Sequence, residues 1–154
     1  FIKAKLKETG AALGGEMSGH IFFKERWYGF DDALYTGARL LEILSKTEQT
    51  CEQVFADLPD SINTPEINIH FDEQGDQFKA MDKLAENVSF KGAEITTIDG
   101  VRVDYPNGWG LVRPSNTTPC LVLRFEANDE KTLEEIQSKF RIWLENNDIS
   151  TKDF

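Results

Sequence analysis

The elements predicted for residues 66–154 are typical of an α+β domain, with an antiparallel sheet and its helices on one face. Three observations support this class. A strand and a helix precede three strands and a last helix, short turns join the strands, and Asp99-Gly100 favours a two-residue type I′ hairpin turn. Because strands joined by short turns pair antiparallel, we expect one antiparallel four-stranded sheet.

The first 58 residues predict helices and two strands. Ile2 and Leu6 lie four positions apart and Gly10 follows them, which predicts a short amphipathic helix with a glycine stop. Apolar stretches on both sides of residues 16–20 predict two strands joined by a loop. Apolar side chains at intervals of three and four then predict a helix from about residue 32 to residue 46, with acidic residues in its first turn.

A linker is predicted at residues 59–65. A short helical stretch over residues 51–58 ends at Pro59, and residues 61–65 are rich in turn-forming side chains. We therefore divide the chain into an N-terminal part, 1–58, the linker, 59–65, and a C-terminal part, 66–154.

The C-terminal part contains the most regular patterns. Ile67 and Ile69 alternate with polar residues and predict a half-buried strand, and a helix follows around residues 78–85. Later apolar stretches predict strands over residues 95–98, 101–105, 109–112 and 120–125. Asn128 is predicted to cap a final helix with apolar residues at Leu133, Ile136, Phe140, Trp143 and Leu144.

Composition and charge narrow the possible partners. The 154 residues include 17 Lys+Arg and 27 Asp+Glu, and the net charge of −10 disfavours nucleic acid and anionic membrane surfaces, which attract clustered basic residues. No apolar run of about 18 residues predicts a membrane span. Cys51 and Cys120 have no partners at metal-ligand spacing, so we expect free thiols and a cytoplasmic location. A chain that begins at Phe1, within a helical pattern, is expected to be a piece of a longer protein.

The first candidate site is the glycine-flanked loop Gly15–His20. Glu16, Ser18 and His20 occupy alternate positions, which share one face if the backbone is extended. A carboxylate accepts hydrogen bonds and a serine hydroxyl donates or accepts them, so Glu16 and Ser18 together suit vicinal hydroxyls. A polar turn between two strands explains the same residues equally well, and His20 alone is a weak signal.

The second candidate site is the loop Arg113–Pro119. Three hydroxyls, one amide and one guanidinium lie between two predicted strands, and prolines near both ends stiffen the loop. Its donors can converge on an anion, and arginine binds phosphate through two parallel hydrogen bonds. A polar strand connection is the alternative, because these are ordinary turn residues. We favour an anion site, since a rigid strand can aim Arg113.

Other residues are weaker candidates. Asp31 and Asp32 could bind a metal ion, but a helix N-terminus also explains acidic residues there. His70 is interpreted as structural, and the aromatic run from Phe22 to Phe30 as core rather than a stacking platform. The sequence contains no P-loop, paired CxxC or HExxH motif, and we assign no metal ligand.

Three stretches carry a resemblance to a known family: GGEMSGH, IFFKERWYGFDDALYTGARLLEIL and DGVRVDYPNGWGLVRPSNTTPCLVLRFEA. They resemble the C-terminal part of the α-D-phosphohexomutases, most closely the bacterial phosphomannomutase/phosphoglucomutase branch. Members of this family are isomerases that interconvert sugar 1-phosphates and 6-phosphates through a phosphoserine enzyme and a bisphosphorylated sugar. The resemblance covers nearly the whole chain.

The resemblance implies roles for individual residues. Glu16, Met17 and Ser18 match the family's sugar-binding loop, whose Glu and Ser hold the O3 and O4 hydroxyls of the sugar. A histidine at the position of His20 lies near the substrate and is a possible acid or base. The residues that match the loop gripping the phosphate that is not transferred are Arg113, Ser115, Asn116, Thr117 and Thr118. Pro114 departs from the alanine of close relatives.

The resemblance also implies a domain assignment. Residues 1–58 resemble the end of the third family domain, hence a partial α/β domain, and residues 66–154 resemble the fourth, which has a TATA-binding-protein-like fold. In such a partial domain we expect Leu13, Ile21, Phe22 and Phe23 to expose apolar surface.

The expected partners follow from the same resemblance. They are the rest of the same polypeptide, including its first and second domains, and phosphosugars: the 1-phosphates, 6-phosphates and 1,6-bisphosphates of glucose and mannose. The family's phosphoserine segment and Mg²⁺ loop belong to those two domains, and neither occurs in this sequence. We therefore expect Mg²⁺ in the full-length enzyme, no cofactor in this chain, and no mutase activity from this chain alone.

Two alternatives remain open. One is a stand-alone phosphosugar-binding module without catalysis. The other is a fragment of a phosphoglucosamine mutase, against which Met17 argues, because that branch usually has glutamine at this position.

Overall fold

A computed structural model of the chain describes residues 2–16, 18–58, 60–152 and 154. The chain divides into two compact units, Phe1–Leu58 and Pro59–Phe154, which we call unit 1 and unit 2. Within the described ranges, no helix has the length and apolar character needed to cross a bilayer.

Unit 1 is built from helices around a two-stranded antiparallel ribbon. Helix α1 spans Ile2–Thr9 and ends at Gly10, which has a φ of 70° and donates its amide to the Leu6 carbonyl (3.0 Å). The ribbon and the following helices are β1 (Leu13–Gly15), β2 (Ile21–Phe23), α2 (Ala33–Leu44) and α3 (Cys51–Phe55). These elements confirm the predicted strand–loop–strand arrangement and the predicted helices.

Two expectations about the apolar residues of unit 1 are wrong in part. Leu13 is exposed as expected, but Phe22 is only 6% exposed. It pairs with Gly14, where a Cβ would lie 3.0 Å from the Ile2 side chain, so α1 packs on this face of the ribbon and covers Phe22. The aromatic run as a whole is not a core, because only Phe22 is buried, while Tyr28 is 80% exposed and stacks on the exposed ring of Phe30.

Unit 2 is built on one antiparallel sheet with the strand order β3-β8-β7-β6-β5, and β4 also pairs with β8. Its strands are β3 (Ile62–Asn63), β4 (Ile67–His70), β5 (Glu94–Thr96), β6 (Val101–Tyr105), β7 (Gly108–Pro114) and β8 (Cys120–Ala127). Its helices are α4 (Asp76–Glu86) and α5 (Glu130–Glu145).

The sheet contains six strands rather than the predicted four. Five of them match the strand segments that the sequence analysis named one by one, and the sixth, β3, lies within the predicted linker. Its pairing with β8 is extended by Thr64, whose amide donates to the Phe125 carbonyl (3.0 Å) and whose Oγ1 accepts from the Phe125 amide (3.2 Å). Because these hydrogen bonds join residues 61 positions apart, no local sequence pattern reveals them.

Both helices of unit 2 pack on the same face of the sheet, which confirms the predicted fold class. Along β8, the side chains at positions 121, 123, 125 and 127 are buried and belong to one cluster with apolar residues of α4 and α5. Phe140 of α5 packs directly on the backbone of Gly110, where a Cβ would lie 2.5 Å from the phenyl ring. Glycine at this position therefore allows the close contact between helix and sheet.

The turn between β5 and β6 differs from the prediction. The last paired residues are Thr96 and Arg102, and Asp99 lacks the positive φ that a type I′ turn needs at both central positions. Gly100 has a φ of 86°, and a Cβ there would lie 2.2 Å from the Val112 carbonyl oxygen. Gly100 is therefore required for backbone packing against β7, which a dipeptide pattern does not reveal.

The predicted cap of α5 is wrong by one residue. Asp129 is the N-cap, because its Oδ1 accepts a hydrogen bond from the Thr132 amide (2.8 Å). Asn128 instead donates its backbone amide to the backbone carbonyl of Asn107 (3.0 Å), which connects Asn128 to the turn before β7.

Candidate functional site

The loop between β1 and β2 of unit 1 is a tight turn. The Glu16 amide donates to the His20 carbonyl (2.9 Å), and the Gly19 amide donates to the Glu16 carbonyl (3.0 Å). The backbone is therefore not extended from 16 to 20, and the argument that alternate positions share one face is wrong. Glu16 and Ser18 are exposed, and Met17 lies outside the described residues.

His20 lies beside a carboxylate that the sequence analysis did not connect with it. Its Nδ1 is 2.5 Å from Asp31 Oδ2, and both side chains are about half exposed. Asp31 reaches this place because it forms a β-bridge with Phe22, next to β2. The carboxylate orients the imidazole, and in a neutral ring whose Nδ1–H donates to Asp31, Nε2 is left as an acceptor.

The neighbouring Asp31 and Asp32 have separate structural partners. Asp32 caps α2 by accepting from the Tyr35 amide (2.9 Å), and its other oxygen accepts from Trp27 Nε1 (3.1 Å). The helix N-terminus thus explains Asp32, and His20 explains Asp31. Across the described part of the chain, no group of three or more His, Cys, Asp or Glu side chains could hold a metal ion.

A network of ion pairs connects the segment after β2 to α2. Glu42 lies 2.9 Å from Arg26 and 2.8 Å from Lys46, and Arg39 bridges Glu42 (3.1 Å) and Glu25 (2.6 Å). Hydrogen bonding to the Arg26 guanidinium, followed by Lys46, lowers the pKa of Glu42 to about 2. Charged contacts at the surface therefore attach α2 to the rest of unit 1.

The loop between β7 and β8 of unit 2 closes on itself through Ser115. Ser115 Oγ accepts hydrogen bonds from the amides of Thr117 (3.3 Å) and Thr118 (3.2 Å) and lies 2.8 Å from Thr118 Oγ1. The Ser115 amide donates to the Cys120 carbonyl (2.9 Å). Ser115 is only 7% exposed, whereas Asn116, Thr117 and Thr118 are exposed. Ser115 therefore orders the loop. Asn116, Thr117 and Thr118 are its exposed residues, although the amides of Thr117 and Thr118 and the Thr118 hydroxyl are engaged with Ser115.

Gln77 of α4 holds this loop from below, and the sequence analysis missed it. Its side chain is fully buried, and its Nε2 donates to the carbonyls of Ser115 (3.1 Å) and Thr118 (3.3 Å). Its Oε1 accepts from the Gly75 amide (2.9 Å). A signal was present, because Gln77 occupies the same helical stripe as the buried Met81 and Leu84, where an apolar residue is normal.

Arg113 stands at the base of the loop on β7. Its backbone pairs with Val122 of β8, and a Cβ at Gly100 would lie 2.8 Å from its own Cβ, so its strand position is closely packed. Arg113 is half-buried, and within the described ranges its guanidinium has no carboxylate at ion-pair distance. Arg113 is thus available to an anion at the base of a loop with exposed polar residues, which makes this loop a candidate phosphate site.

Among the residues that the structure describes, the cysteines and His70 have no chemical partner that indicates a reaction. Both cysteines are free, Cys51 exposed and Cys120 buried. Cys120 Sγ lies 3.2 Å from Thr118 Oγ1 and therefore packs under the loop. His70 lies opposite Cys120 in the β4–β8 register, and its side chain is exposed rather than part of the core.

Comparison with known proteins identifies the class of protein that contains this pair of loops. Residues 66–142 match the family described as phosphoglucomutase/phosphomannomutase, C-terminal domain, and residues 1–62 match its alpha/beta/alpha domain III. The chain belongs to the phosphoglucomutase/phosphomannomutase family.

Particular relatives cover nearly the whole chain. A phosphomannomutase/phosphoglucomutase from Pseudomonas putida is 61% identical over 144 residues, 94% of this chain and 31% of the relative. A phosphoglucomutase from Neisseria meningitidis serogroup A is 57% identical over 148 residues, 96% of this chain and 32% of the relative. A probable phosphoglucosamine mutase from Methanocella arvoryzae is more distant, 33% identical over 139 residues, 90% of this chain and 31% of the relative.

A solved structure supports the same membership. The crystal structure of a phosphoglucomutase/phosphomannomutase family protein from Burkholderia thailandensis matches with a TM-score of 0.84 and 53% identity, over 96% of this chain and 31% of that chain. The chain thus spans about a third of the length of the proteins it matches. The predicted resemblance to this family is confirmed.

Proposed function

We propose that this chain is the substrate-recognition part of a phosphohexomutase. The full-length enzyme interconverts the 1-phosphates and 6-phosphates of mannose and glucose through a phosphoserine enzyme and a bisphosphorylated sugar. The observation that carries the proposal is the loop at 113–119, in which three exposed polar residues follow Arg113, whose guanidinium has no ion pair among the described residues. The higher identity to phosphomannomutase/phosphoglucomutases than to the phosphoglucosamine mutase favours these two sugars.

In this proposal the loop of unit 2 binds the phosphate that is not transferred. Arg113 supplies a charge-assisted, two-pronged contact, and Asn116, Thr117 and Thr118 donate further hydrogen bonds to the phosphate oxygens. Ser115 acts mainly as a positioning residue, because its hydroxyl is buried and already engaged within the loop. Gln77 supports the loop carbonyls, so the donors are held in place before the anion arrives.

The loop of unit 1 recognises the sugar in this proposal. The Glu16 carboxylate and the Ser18 hydroxyl are exposed and suit vicinal sugar hydroxyls. Met17 is assigned to the same loop by the family resemblance. His20, oriented by Asp31, has the geometry of a proton donor or acceptor.

The phosphoryl transfer itself is assigned to parts of the polypeptide outside this sequence. Mg²⁺ supplies charge neutralisation in such transfers, but the carboxylates described here do not assemble a site that fits it, and we derive no step through it. We also propose phosphosugars and the rest of the same polypeptide as the partners. The free thiols support a cytoplasmic location.

The proposal is tested by titrating the chain with glucose 1-phosphate and with inorganic phosphate, followed by amide NMR. We expect shifts at residues 113–119 with both ligands, and at residues 16–20 with the sugar phosphate alone. Arg113→Ala should weaken binding of both ligands by about tenfold or more, since a charge-assisted hydrogen bond contributes about 1.5–3 kcal/mol. Lys131→Ala, on the exposed face of α5, is the control and should leave both affinities unchanged.

Glu16→Ala separates the two loops. It should weaken the binding of glucose 1-phosphate and leave the binding of inorganic phosphate unchanged, because phosphate alone offers no vicinal hydroxyls. Shifts that cluster away from both loops, or an Arg113→Ala variant that binds as tightly as the parent chain, would refute the assignment. Mutase turnover by the purified chain, above the background of host enzyme, would refute the assignment of phosphoryl transfer to other parts of the polypeptide.

A further inference from the structure

Unit 2 contains a cavity that the proposed function does not use. Its volume is about 740 Å³, which is within the range of small-molecule sites. Residues of α4, of the connection from α4 to β5, of β6 and of α5 line it. No residue of the loop 113–119 is among them in the described part of the chain, so the cavity is separate from the proposed phosphate site.

Three lysines line the cavity of this acidic protein. They are Lys83, Lys91 and Lys139, and no described aspartate or glutamate is among the lining residues. Lys83 is partly neutralised, because its Nζ lies 2.9 Å from Asp148 Oδ2. Lys91 and Lys139 have no ion pair to any described residue, although the chain carries a net charge of −10. The cavity is therefore a local positive region.

Aromatic residues also line the cavity, and two of them carry a buried polar atom without a partner among the described residues. The rings of Phe90 and Trp143 are in edge-to-face contact with centroids 5.2 Å apart, and Trp143 is only 8% exposed. Trp143 Nε1 and the Tyr105 hydroxyl are buried and have no hydrogen-bond partner among the described residues. Burial raises the pKa of Tyr105, so its hydroxyl keeps its proton at neutral pH. Lys139 lies 4.2 Å from the centre of the Tyr105 ring.

Buried donors in folded proteins nearly always have an acceptor. Tyr105 and Trp143 are therefore unusual, and both line the cavity. Beside them, the ammonium groups of Lys91 and Lys139 have no ion pair among the described residues, so an anion from outside the chain can neutralise them. The aromatic rings at the same wall favour a ligand with a flat apolar part.

We infer that this cavity binds a small organic anion that combines a flat aromatic ring with a phosphate or carboxylate group. The ring packs against Phe90 and Trp143, and the anionic oxygens accept from the ammonium groups of Lys91 and Lys139. Nucleotides have this chemistry. A hexose phosphate lacks the aromatic ring, so the two proposed sites of unit 2 select different ligands.

The test uses adenosine 5′-monophosphate as the probe and the indole N–H signals of the whole 154-residue chain in NMR. The signal of Trp143 is assigned with Trp143→Phe, and Trp27 and Trp109 serve as internal references. We expect a saturable shift of the Trp143 indole with the nucleotide. Adenosine, which has the ring alone, and inorganic phosphate, which has the anion alone, should each bind at least about tenfold more weakly.

Charge variants locate the anion. Lys91→Gln and Lys139→Gln should each weaken the binding of the nucleotide by about tenfold, since each removes one charge-assisted contact. Lys131→Gln, on the same helix as Lys139 but outside the cavity, should have no effect. Arg113→Ala should also leave the Trp143 titration unchanged, whereas it weakens phosphosugar binding, so failure of one proposal is distinguishable from failure of the other.

Three outcomes would overturn the inference. The first is no saturable shift of the Trp143 indole up to about 10 mM nucleotide, since any remaining affinity would then be weaker than that of ordinary small-molecule sites. The second is unchanged affinity in both Lys91→Gln and Lys139→Gln. The third is loss of the Trp143 shift in Arg113→Ala, which would place the anion at the loop 113–119 instead.

Discussion

Unit 1 and unit 2 are stabilised in different ways. Among the described residues, unit 2 buries eighteen apolar side chains, whereas unit 1 buries two, Leu6 and Phe22. Helix α2 of unit 1 has no buried residue, and its Leu34 is 90% exposed. Because burial of apolar surface is the main stabilising contribution in folding, unit 2 has a complete core. Unit 1 depends more on caps and surface ion pairs, which contribute less.

The same difference separates the two candidate loops. The loop at 113–119 is fastened by the buried Gln77 and by an inward-facing Ser115. The loop at 16–20 is closed by its own backbone, and its side-chain contact, between His20 and Asp31, is exposed to solvent. A loop supported by a packed core holds its donors in place before binding, which suits the recognition of a compact anion.

The largest expected difference is in hydrogen exchange. Amides of Ile21–Phe23 in β2 should exchange at least about a thousandfold faster than those of Leu121–Phe125 in β8, because a two-stranded ribbon opens locally and a central strand exchanges only by global unfolding. The measurement is native-state exchange on a monomeric sample. Equal, concentration-independent protection of both strands would show that unit 1 folds as firmly as unit 2.

A substitution that creates an empty space in the core should destabilise unit 2 strongly. Phe140 is fully buried between Gly110, Phe90 and Phe125, so Phe140→Ala should lower the free energy of unfolding by about 3–5 kcal/mol. Leu34→Ala in α2, at an exposed position, should change it by less than about 0.5 kcal/mol. Denaturant titration measures both. Similar losses in the two variants would contradict the contrast between the units.

Removing the buried amide of Gln77 should affect the loop as well as stability. Gln77→Ala removes the side-chain donor of the Ser115 and Thr118 carbonyls, of which the Thr118 carbonyl keeps the Cys120 amide, and should cost about 1–3 kcal/mol of unfolding free energy. It should also weaken the binding of inorganic phosphate, because Gln77 no longer holds the donors at 116–118 in place. Asn87→Ala, at the exposed end of the same helix, is the matched control. Unchanged phosphate affinity in a folded Gln77→Ala variant would show that the loop does not need this support.

The smallest expected effect is acid sensitivity of unit 1. The pKa of Glu42 in the folded protein is about 2, below its ordinary value of 4.5, so its ion pairs stabilise unit 1 fully above about pH 4.5. This contribution should be lost as the pH falls through about 2. Amide spectra recorded from pH 6 to pH 2 should show unit 1 signals changing before those of unit 2. Glu42→Gln should remove most of this pH dependence, and a variant that keeps it would assign the effect to other carboxylates.

Much of the candidate site could be predicted because its residues are contiguous. Arg113 and the loop after it stand out in the sequence as a polar segment between two apolar strands, and the structure keeps them in one loop. Asp31 and Gln77 act across eleven and thirty-eight positions, on His20 and Ser115 respectively, and no local pattern connects such pairs. The burial of Ser115 was also beyond sequence reasoning, because a serine in a turn is normally exposed.

The sequence by itself determined the features that repeat locally. Apolar periodicity defined α2 and α5, alternation defined β4, and glycine ended α1, because each depends on neighbours within a few residues. Only the tertiary structure decided what depends on distant backbone. The chain between β5 and β6 does not form the tight turn that Asp99-Gly100 favours, because Gly100 packs against the Val112 carbonyl. Phe22 is covered because α1 returns over Gly14, and β3 forms because Thr64 meets Phe125. In each case a contact between segments outweighs a local preference of less than a few kcal/mol.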